Sequence, residues 1–436
     1  MFTRTFLAAA LAAVSIPAHA GPAPSADARF IDEPLTIHAG PEALSWEDVR
    51  QRVLTGSPST RVAASGIAVA AADITGASLV PNPELLVELD EGGIGGPLYQ
   101  SSVAKVALSQ TIRTGGKRSR AREAAQRGVR VAEASLGVET ARTAAHAARA
   151  CVEVIERKYL LRLAERTLAL TRWDRELTLL RVKGGDLGES ALHRMDARVH
   201  LAEAAVDRAA GSLAEALAVL PLEWDGDPGE VTDLRGVLPL PAPPPDLPDL
   251  LEAVRQAPDI TLAARRIDRS EAAGAVARAA ATPDFTLEAG YVTTGGLRDH
   301  GWLLGFSVPL PAFDRAQGEI AGAAARLRRS RLERAAVLAG VRARVLRAHA
   351  HLLALHREWA HLREAVLPAS RLAWRAVHDA FARGELTLLD VSASGVELLA
   401  LQEREIRLRV EHAHTRITLD EALGRIPDFL VVEETP

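Results

Sequence analysis

The stretch that decides the fold is ELLVELDEGGIGGPLYQSSVAKVALSQTIRTGGKRSR, residues 84–120. It contains two segments of alternating apolar and polar residues, Glu84–Gly93 and Ser102–Ile112, on either side of a glycine-rich loop. Alternation with a period of two places apolar side chains on one face of a strand and polar side chains on the other. The stretch therefore predicts an antiparallel hairpin.

A second pair of alternating segments, Phe285–Thr294 and Trp302–Pro311, predicts another hairpin. Strands of about ten residues with this pattern are typical of outer-membrane proteins, with the apolar face toward lipid and the polar face toward a lumen. An ordinary half-buried hairpin has the same alternation, so both interpretations stay open at this point. In the membrane interpretation the charged residues face the lumen, because charge facing lipid is costly. These residues are Glu84, Glu88, Asp90, Lys105 and Glu288.

The aromatic residues, only 4% of the chain, cluster at the predicted strand ends. Tyr99, Tyr291 and Trp302 fall at the loop end of the hairpins. Phe285 and Phe313 fall at the opposite end. Two aromatic girdles at the boundaries of a membrane would have this spacing.

Long proline-free stretches separate the hairpins, because the 24 prolines are unevenly distributed. These stretches are rich in Ala, Leu, Arg and Glu, which favour helices. The predicted helices span about 43–80, 117–182, 190–219, 247–281, 315–383 and 389–424. The helix 117–182 would be about 100 Å long. An apolar seam with steps of three and four residues, from Val152 to Leu180, predicts coiled-coil packing.

The two halves of the chain repeat at an offset of 200, as in Pro58 and Pro258 or Pro83 and Pro283. A repeat on this scale indicates duplication. The predicted organisation is a signal peptide at 1–20, an extended segment at 21–42, a first repeat at 43–235 with its hairpin at 84–112, a proline-rich linker at 236–248, a second repeat at 249–426 with its hairpin at 285–311, and a tail at 427–436.

Composition and the N-terminus restrict the class of protein. The formal net charge of −4 excludes a strongly basic nucleic-acid binder, and the single Cys excludes a disulfide framework. Residues 1–20 combine Arg4, the apolar run Phe6–Ile16 and an Ala-x-Ala site at Ala18–Ala20, the pattern of a secretory signal. No later apolar run is long enough for a membrane helix. We therefore expect an exported protein.

Four strands cannot close a barrel, because the smallest single-chain membrane barrels have eight. Open sheet edges are not tolerated in lipid. A membrane barrel would therefore have to be shared between chains. Periodicity alone does not choose three chains over two or four.

The duplicated order of helix, hairpin, helix, turn and helix resembles the TolC-type outer membrane efflux family over almost the whole mature chain. Three short motifs carry the same resemblance. They are Asn82-Pro83-Glu84-Leu85, Thr114-Gly115-Gly116-Lys117-Arg118 and the segment Phe381–Val391. The first two are most similar to the CzcC-like branch, which serves cation-efflux pumps. The resemblance implies a mainly α protein, in which four strands per chain contribute to a trimeric twelve-stranded β-barrel and coiled-coil helices form an α-barrel.

The same resemblance implies a duct that exports divalent heavy-metal cations and performs no catalysis. Its partners would be two further copies of the chain, a periplasmic adaptor, an inner-membrane pump of the resistance-nodulation-division type and outer-membrane lipid, with no nucleic acid and no cofactor. Drug efflux or type I protein secretion would use the same architecture. A soluble periplasmic coiled-coil scaffold, with hairpins packed on protein, is an alternative of another class.

The helix–turn–helix tips are the candidate gate and adaptor contact that the resemblance implies. Their residues are Lys183, Gly184, Gly185, Asp186, Leu187, Glu189, Arg383, Gly384, Glu385, Leu386 and Asp390. Glycines permit the positive φ of such turns, and carboxylate rings favour cations. Asp390 and Glu189 could instead cap the helices that follow. The histidines of 349–361 lack the i,i+4 spacing of paired metal ligands, so we predict no metal site there.

Overall fold

A computed structural model describes residues 28–33, 35–40, 42–91, 102–294 and 299–427. The helices are α1 Trp46–Gly56, α2 Pro58–Ser78, α3 Lys117–Lys183, α4 Glu189–Val219, α5 Leu247–Ala253, α6 Pro258–Ala280, α7 Gln317–His361, α8 Leu367–Ala382 and α9 Leu388–Leu423. The strands are β1 Glu84–Glu91, β2 Ser102–Ile112, β3 Phe285–Thr294 and β4 Asp299–Ser307. The prediction of a mainly α chain with a small β part is confirmed. The predicted signal peptide and most of the tail lie outside the described residues.

Two predicted continuous helices, 43–80 and 247–281, are broken in the structure. The breaks are at Ser57 and Ala257, each followed by a proline at the first helical position. The residue before a proline is driven into extended backbone, and both residues have φ near −57° and ψ above 120°. At each break a proline ends one helix and begins the next. The predictions of continuous helices at 43–80 and 247–281 were therefore wrong at these two prolines.

The predicted helix 315–383 is interrupted by a π-helical turn at Leu362–Val366. Pro368 follows this turn and has no backbone N–H to donate to the preceding turn. A local change to π geometry accommodates such a missing bond without ending the helix.

The fourth strand was predicted at Trp302–Pro311 but spans Asp299–Ser307. Ser307 pairs with Thr286, and β3 begins only one residue earlier, at Phe285. Residues beyond Ser307 therefore have no partner strand in the described chain. Pro309 and Pro311 also lack the N–H that a ladder needs.

The strands form one antiparallel sheet in the order β1-β2-β3-β4. The two predicted hairpins are joined side by side, because β2 pairs with β3 over its whole length. Within the described chain, β1 and β4 are the edge strands, each with one unpaired side. The sheet is open at both edges.

The long helix α3 has 67 residues and follows its predicted seam. Val152, Ile155, Tyr159, Leu163, Leu170 and Trp173 are all buried. Leu180, near the end of the predicted seam, is exposed. The coiled-coil packing is thus present along most of the seam and ends before the turn after α3.

The chain divides into two compact units, each assembled from segments of both halves of the sequence. Unit 1 comprises Met1–Leu35, Arg162–Arg208 and Leu367–Gln402, and it contains the turn after α3 and the turn before α9. Its core includes Ile31, Leu170, Trp374 and Leu398. Gly395 lets α9 approach this core, because a Cβ there would lie 2.9 Å from the Trp374 ring.

Unit 2 comprises Thr36–Leu161, Ala209–Val366 and Glu403–Pro436, and it contains the sheet. One apolar cluster of this unit is built from α5, α6, α7, α9 and residues 254–257 between α5 and α6. The members are Leu250, Val254, Ala257, Ile260, Val341, Val345, Ala348, Leu352, Leu419, Ala422 and Leu423.

Among the described helices, none combines the length and apolarity that a bilayer span requires.

Candidate functional site

The predicted lumen residues lie on one face of the sheet. Glu88 is directly opposite Lys105, and Ser109 is opposite both Glu84 and Glu288 on its two neighbouring strands. Lys105 Nζ lies 2.6 Å from Glu288 Oε1 and 3.4 Å from Glu88 Oε2. Lys105 on β2 thus contacts one carboxylate on each of the two strands that flank it, β1 and β3. Asp90 pairs through its backbone with Val103, but its side chain lies outside the described residues.

The opposite face of the sheet is apolar and uncovered. Its exposed side chains are Leu85, Val87, Leu89, Val106, Leu108, Leu287, Tyr291, Trp302, Leu304 and Phe306. Leu304 at the middle of β4 is 85% exposed and Trp302 is 88% exposed. Contiguous apolar surface of this kind marks an interaction with lipid or protein. The structure therefore brings the predicted apolar positions of the alternation that lie in the strands to one uncovered face, whereas Val308 lies beyond the end of β4.

Of the predicted girdle residues, Tyr291 and Trp302 lie three residues inside the loop end of their strands, Phe285 is the first residue of β3, and Phe313 follows β4. Tyr291 and Trp302 are cross-strand partners with ring centroids 5.8 Å apart. At the other end Phe285 packs on Phe306, at 5.5 Å, and Phe313 is 94% exposed. Tyr99 lies outside the described residues. The partners His300 and Phe306 were missed, although both continue the period-two alternation of β4.

The first predicted tip begins at Lys183, the last residue of α3, and ends at Glu189, the first residue of α4. The N–H of Gly185 donates to the Val182 carbonyl at 3.0 Å, and the N–H of Asp186 donates to the Arg181 carbonyl at 2.9 Å. Gly185 has φ 86°, which completes a Schellman motif. Gly184 immediately precedes it, and Leu187 is partly exposed beyond it.

The second tip repeats this geometry. The N–H of Gly384, with φ 79°, donates to Phe381, and the N–H of Glu385 donates to Ala380, both at 2.9 Å. The Arg383 guanidinium donates two hydrogen bonds, of 2.8 and 2.9 Å, to the Glu385 carboxylate. These bonds hold the pKa of Glu385 below its usual value. Leu386 is partly exposed next to this pair.

Asp390 is a capping residue of α9. Its Oδ2 accepts bonds from the backbone N–H and the hydroxyl of Thr387, at 2.9 and 2.6 Å. The hydroxyl bond in particular keeps the pKa of Asp390 below its ordinary value. The sequence Thr-x-x-Asp before an apolar run is the signature of a capping box, so Thr387 was recognisable from sequence. The geometry gives Asp390 the capping role weighed in the sequence analysis.

An aromatic cluster behind the tips was missed in the sequence. His378 lies between Trp173 and Trp374, with ring centroids 6.0 and 5.9 Å away, and Phe381 packs on Trp173 at 6.1 Å. The guanidinium of Arg181 lies 5.7 Å from the Phe381 ring, so it connects the end of α3 with the end of α8. The clustering of these aromatics across two distant helices has no signal in a single sequence.

Asp174 is a buried carboxyl in the same unit. Its Oδ2 accepts a 2.7 Å bond from the Ser392 hydroxyl, and its Oδ1 is buried without a hydrogen-bond partner among the described residues. Burial raises the pKa of Asp174 to about 6, and the Ser392 bond only partly opposes this. Asp174 directly follows Trp173, a member of the predicted seam of α3, and the sequence analysis did not single it out.

The histidines of α7 contact neighbouring elements. His351 Nε2 lies 3.1 Å from Glu411 Oε1, and His356 Nδ1 lies 2.8 Å from the carbonyl oxygen of Pro241 in the proline-rich linker. Within the described part of the chain, no three His, Cys, Asp or Glu side chains are grouped closely enough to hold a metal ion.

Comparison with known proteins gives a consistent result. The sequence profile of the family described as Outer membrane efflux protein matches residues 250–425. The cobalt-zinc-cadmium resistance protein CzcC of Cupriavidus metallidurans is 25% identical over 353 residues, covering 80% of this chain and 82% of that protein.

Solved structures share the fold. CusC superposes with a TM-score of 0.73 at 18% identity, covering 90% of this chain and 97% of CusC. The outer membrane protein VceC of Vibrio cholerae superposes with a TM-score of 0.72 at 19% identity, covering 88% of this chain and 97% of VceC. The profile match and the CzcC similarity show that the chain is similar in sequence to outer membrane efflux proteins, and the solved structures show the same fold.

Proposed function

We propose that the chain is the outer-membrane duct of a tripartite efflux system that exports divalent heavy-metal cations. One observation carries the proposal: the four-stranded sheet has an uncovered apolar face and an opposite face that bears Glu84, Glu88, Lys105 and Glu288. Such a sheet fits a membrane wall whose outer surface meets lipid and whose inner surface meets water. The match of residues 250–425 to the profile of outer membrane efflux proteins supports the same assignment.

The open edges of the sheet require other chains. An unpaired strand edge in hydrocarbon leaves N–H and C=O groups without partners, at several kcal/mol each. Pairing β4 of one copy with β1 of the next removes both edges. Three copies then close a barrel of about twelve strands, above the smallest barrels of about eight. We therefore assign a homotrimer, with the sheet in the outer membrane and the helices in the periplasm after export by the signal peptide.

The tips are the proposed contact with the periplasmic adaptor and the narrowing of the duct. Both tips end in a Schellman turn and present a partly exposed leucine, Leu187 or Leu386. The turns also hold Asp186, Glu189 and Glu385, which threefold repetition would arrange in rings that favour cations. The energy would come from an inner-membrane pump of the resistance-nodulation-division type, and the chain itself would supply a conduit.

The cargo assignment rests on the similarity to a protein named for cobalt, zinc and cadmium resistance. A strain without this chain should lose growth in the presence of these cations and keep its resistance to drugs. The matched control restores the gene and keeps the same pump and adaptor. Sensitivity to drugs with unchanged metal resistance would favour the drug-efflux alternative, and loss of a secreted protein would favour type I secretion.

The two faces of β4 offer a sharp test of the membrane assignment. Leu304 lies on the apolar face and its neighbour Leu303, opposite Gly290, lies on the charged face. Leu304→Arg would place a charge in lipid at a cost of about 2–4 kcal/mol near the bilayer centre, whereas Leu303→Arg would face water. We expect Leu304→Arg to abolish assembly in the outer membrane and Leu303→Arg to retain it, as measured by membrane fractionation.

The opposite outcome identifies the other class of protein. In that outcome Leu304→Arg and Leu303→Arg are recovered in equal amounts as soluble protein, and the unchanged chain is absent from the membrane fraction. These results would indicate a soluble periplasmic scaffold.

A further inference from the structure

The proline-rich linker is held to the helices of unit 2 through backbone carbonyls. Lys158 Nζ on α3 donates to the carbonyl of Leu234, just before the linker, at 3.1 Å. The guanidinium of Arg409 on α9 donates to the carbonyl of Leu238. Leu234 and Leu238 are both buried, so this segment packs closely on the helices. Two cationic side chains thus anchor its first part.

Two histidines hold the residues that follow. His356 Nδ1 on α7 lies 2.8 Å from the carbonyl oxygen of Pro241, and His412 Nε2 on α9 lies 3.3 Å from that of Ala242. A carbonyl oxygen only accepts, so each of these ring nitrogens carries a hydrogen. Residues 234–242, which we call the strap, therefore contact α3, α9 and α7 through side-chain donors.

The His412 contact is the one that a second proton on the ring would oppose. The residue is 7% exposed, and its Nδ1 is buried with no hydrogen-bond partner among the described residues. Since Nε2 carries the hydrogen of the strap contact, Nδ1 is the bare nitrogen of the neutral ring. A proton added there would create a charged ring and a buried N–H for which the described chain offers no acceptor. Both are unfavourable.

The surroundings of His412 oppose its charged form as well. The charged and titratable groups on the elements around it are Arg409, Arg416 and Asp420 on α9, His356 on α7, Lys158 on α3 and Asp233 before the linker. Both carboxylates of this set are already in ion pairs with its cations. Burial lowers the pKa of His412 below its ordinary value of 6.5, and the positive charge of Arg416 adds to this effect, although the bond to Ala242 opposes it.

We infer that His412 makes the strap an acid-sensitive device, which holds α3, α9 and α7 at neutral pH and is released as the pH falls. Release lets the charged ring reach water, so protons favour the released state. A released histidine titrates at its ordinary value of 6.5. The stabilisation is therefore full above that pH and is lost as the pH falls through the lower pKa of the held ring. The strap contains no residue of the sheet or of the tips, so its release is independent of the proposed cargo.

Thiol labelling of the full-length chain measures the release. Leu238→Cys places a thiol at a buried position of the strap, and Leu240→Cys places one at an exposed position of the same segment. Both variants are purified in detergent and labelled with a maleimide at pH 5.5 and at pH 7.5. The ratio of the two rates removes the effect of pH on the thiol itself. Cys151 is buried and present in both variants, so it adds the same background.

We expect the rate for Leu238→Cys, relative to Leu240→Cys, to be about threefold or more higher at pH 5.5 than at pH 7.5. Adding His412→Gln keeps a donor near the place of Nε2 and removes the titration, so the increase should vanish. The matched control adds His361→Gln, an exposed histidine on another face of α7, and should keep the increase. A relative rate that does not change with pH, or an increase that persists with His412→Gln, would overturn the inference.

A second measurement uses the unchanged chain, and it decides the matter if Leu238→Cys does not fold. The C2 hydrogen of an imidazole exchanges with deuterium at a rate that follows the protonation of the ring, and mass spectrometry assigns the rate to His412. We expect the pH profile of His412 to have its midpoint below 6.5. A midpoint at or above 6.5 would overturn the acid-sensitive strap, because protons would then not favour its release.

Discussion

Single residues explain the turns that carry the proposed gate. Gly185 and Gly384 have positive φ in matching Schellman motifs, and no heavy atom lies within 4 Å of the position of an added Cβ at either glycine. Their requirement for glycine is thus a backbone requirement with no contribution from crowding. The sequence predicted this role for Gly184, Gly185 and Gly384, because a glycine after a helical run is a recognised stop signal. The structure has positive φ at Gly185 and Gly384 but not at Gly184, where the prediction was wrong.

Substitution of Gly384 tests that requirement. Gly384→Ala should destabilise the turn by about 1–2 kcal/mol, the cost of left-handed backbone for an L-residue. The matched control Gly211→Ala lies inside α4, also in open space, and should instead stabilise by about 0.5–1 kcal/mol. Hydrogen exchange of the amides of 384 and 385 measures the difference.

A bulkier variant tests the function of the same turn. Gly384→Val should impair efflux while leaving oligomers in the outer membrane, because the strain is confined to the tip. Normal efflux by this variant would count against the assignment of the tips as gate and adaptor contact.

Asp174 makes the stability of unit 1 depend on pH. Its pKa of about 6 in the folded chain exceeds its ordinary value of 3.8, so the folded state retains a proton that the unfolded state releases. The contribution to stability is therefore full below the ordinary value and is lost as the pH rises through 6. Between pH 5 and pH 7 this amounts to about 1 kcal/mol, since one pKa unit corresponds to about 1.4 kcal/mol.

Asp174→Asn removes this titration and keeps the shape of the side chain. Hydrogen exchange of the amides of 390–402, corrected for intrinsic rates, should show greater protection at pH 5 than at pH 7 in the unchanged chain. The difference should vanish in Asp174→Asn and persist in Asp207→Asn, an exposed carboxyl of α4 in the same unit. An unchanged pH dependence in Asp174→Asn would contradict the assignment.

At the scale of elements, alternation and proline positions predicted most helices and strands, and the neighbouring strands in the sheet determine where each strand ends. The bounds of β2 and β3 match the alternation residue by residue, because each strand is paired on both sides. The end of β4 was misplaced, because the extended pattern continues to Pro311 while the partner strand stops. The breaks at Ser57 and Ala257 were readable from the prolines that follow them.

Contacts between distant segments were beyond sequence reasoning. A single chain pattern predicts that β1 and β2 form a hairpin, but not that β2 pairs with β3 across a separation of more than 170 residues. The same limit applies to His378 between Trp173 and Trp374. The predicted lumen residues were an easier case, because alternation alone fixes the face of the sheet on which a strand residue lies.

At the scale of the whole molecule, the alanine-rich and aromatic-poor composition fits helices that pack closely over long distances. α3 alone spans 67 residues, and it buries small side chains such as Ala144, Ala145 and Ala148. Each compact unit combines segments from both halves of the sequence, so the proposed duplication does not coincide with the units. The division into two repeats at 43–235 and 249–426 stays a prediction.

The most direct measurement of the central claim is the mass of the native particle extracted from the outer membrane. After separation of inner and outer membranes on a density gradient, native mass spectrometry of the detergent-solubilised protein should give three copies of the chain, found in the outer-membrane fraction. If the sheet lies in lipid, the open edges of β1 and β4 require pairing with other copies, and three copies are the number that the account predicts. A soluble periplasmic monomer would contradict the account.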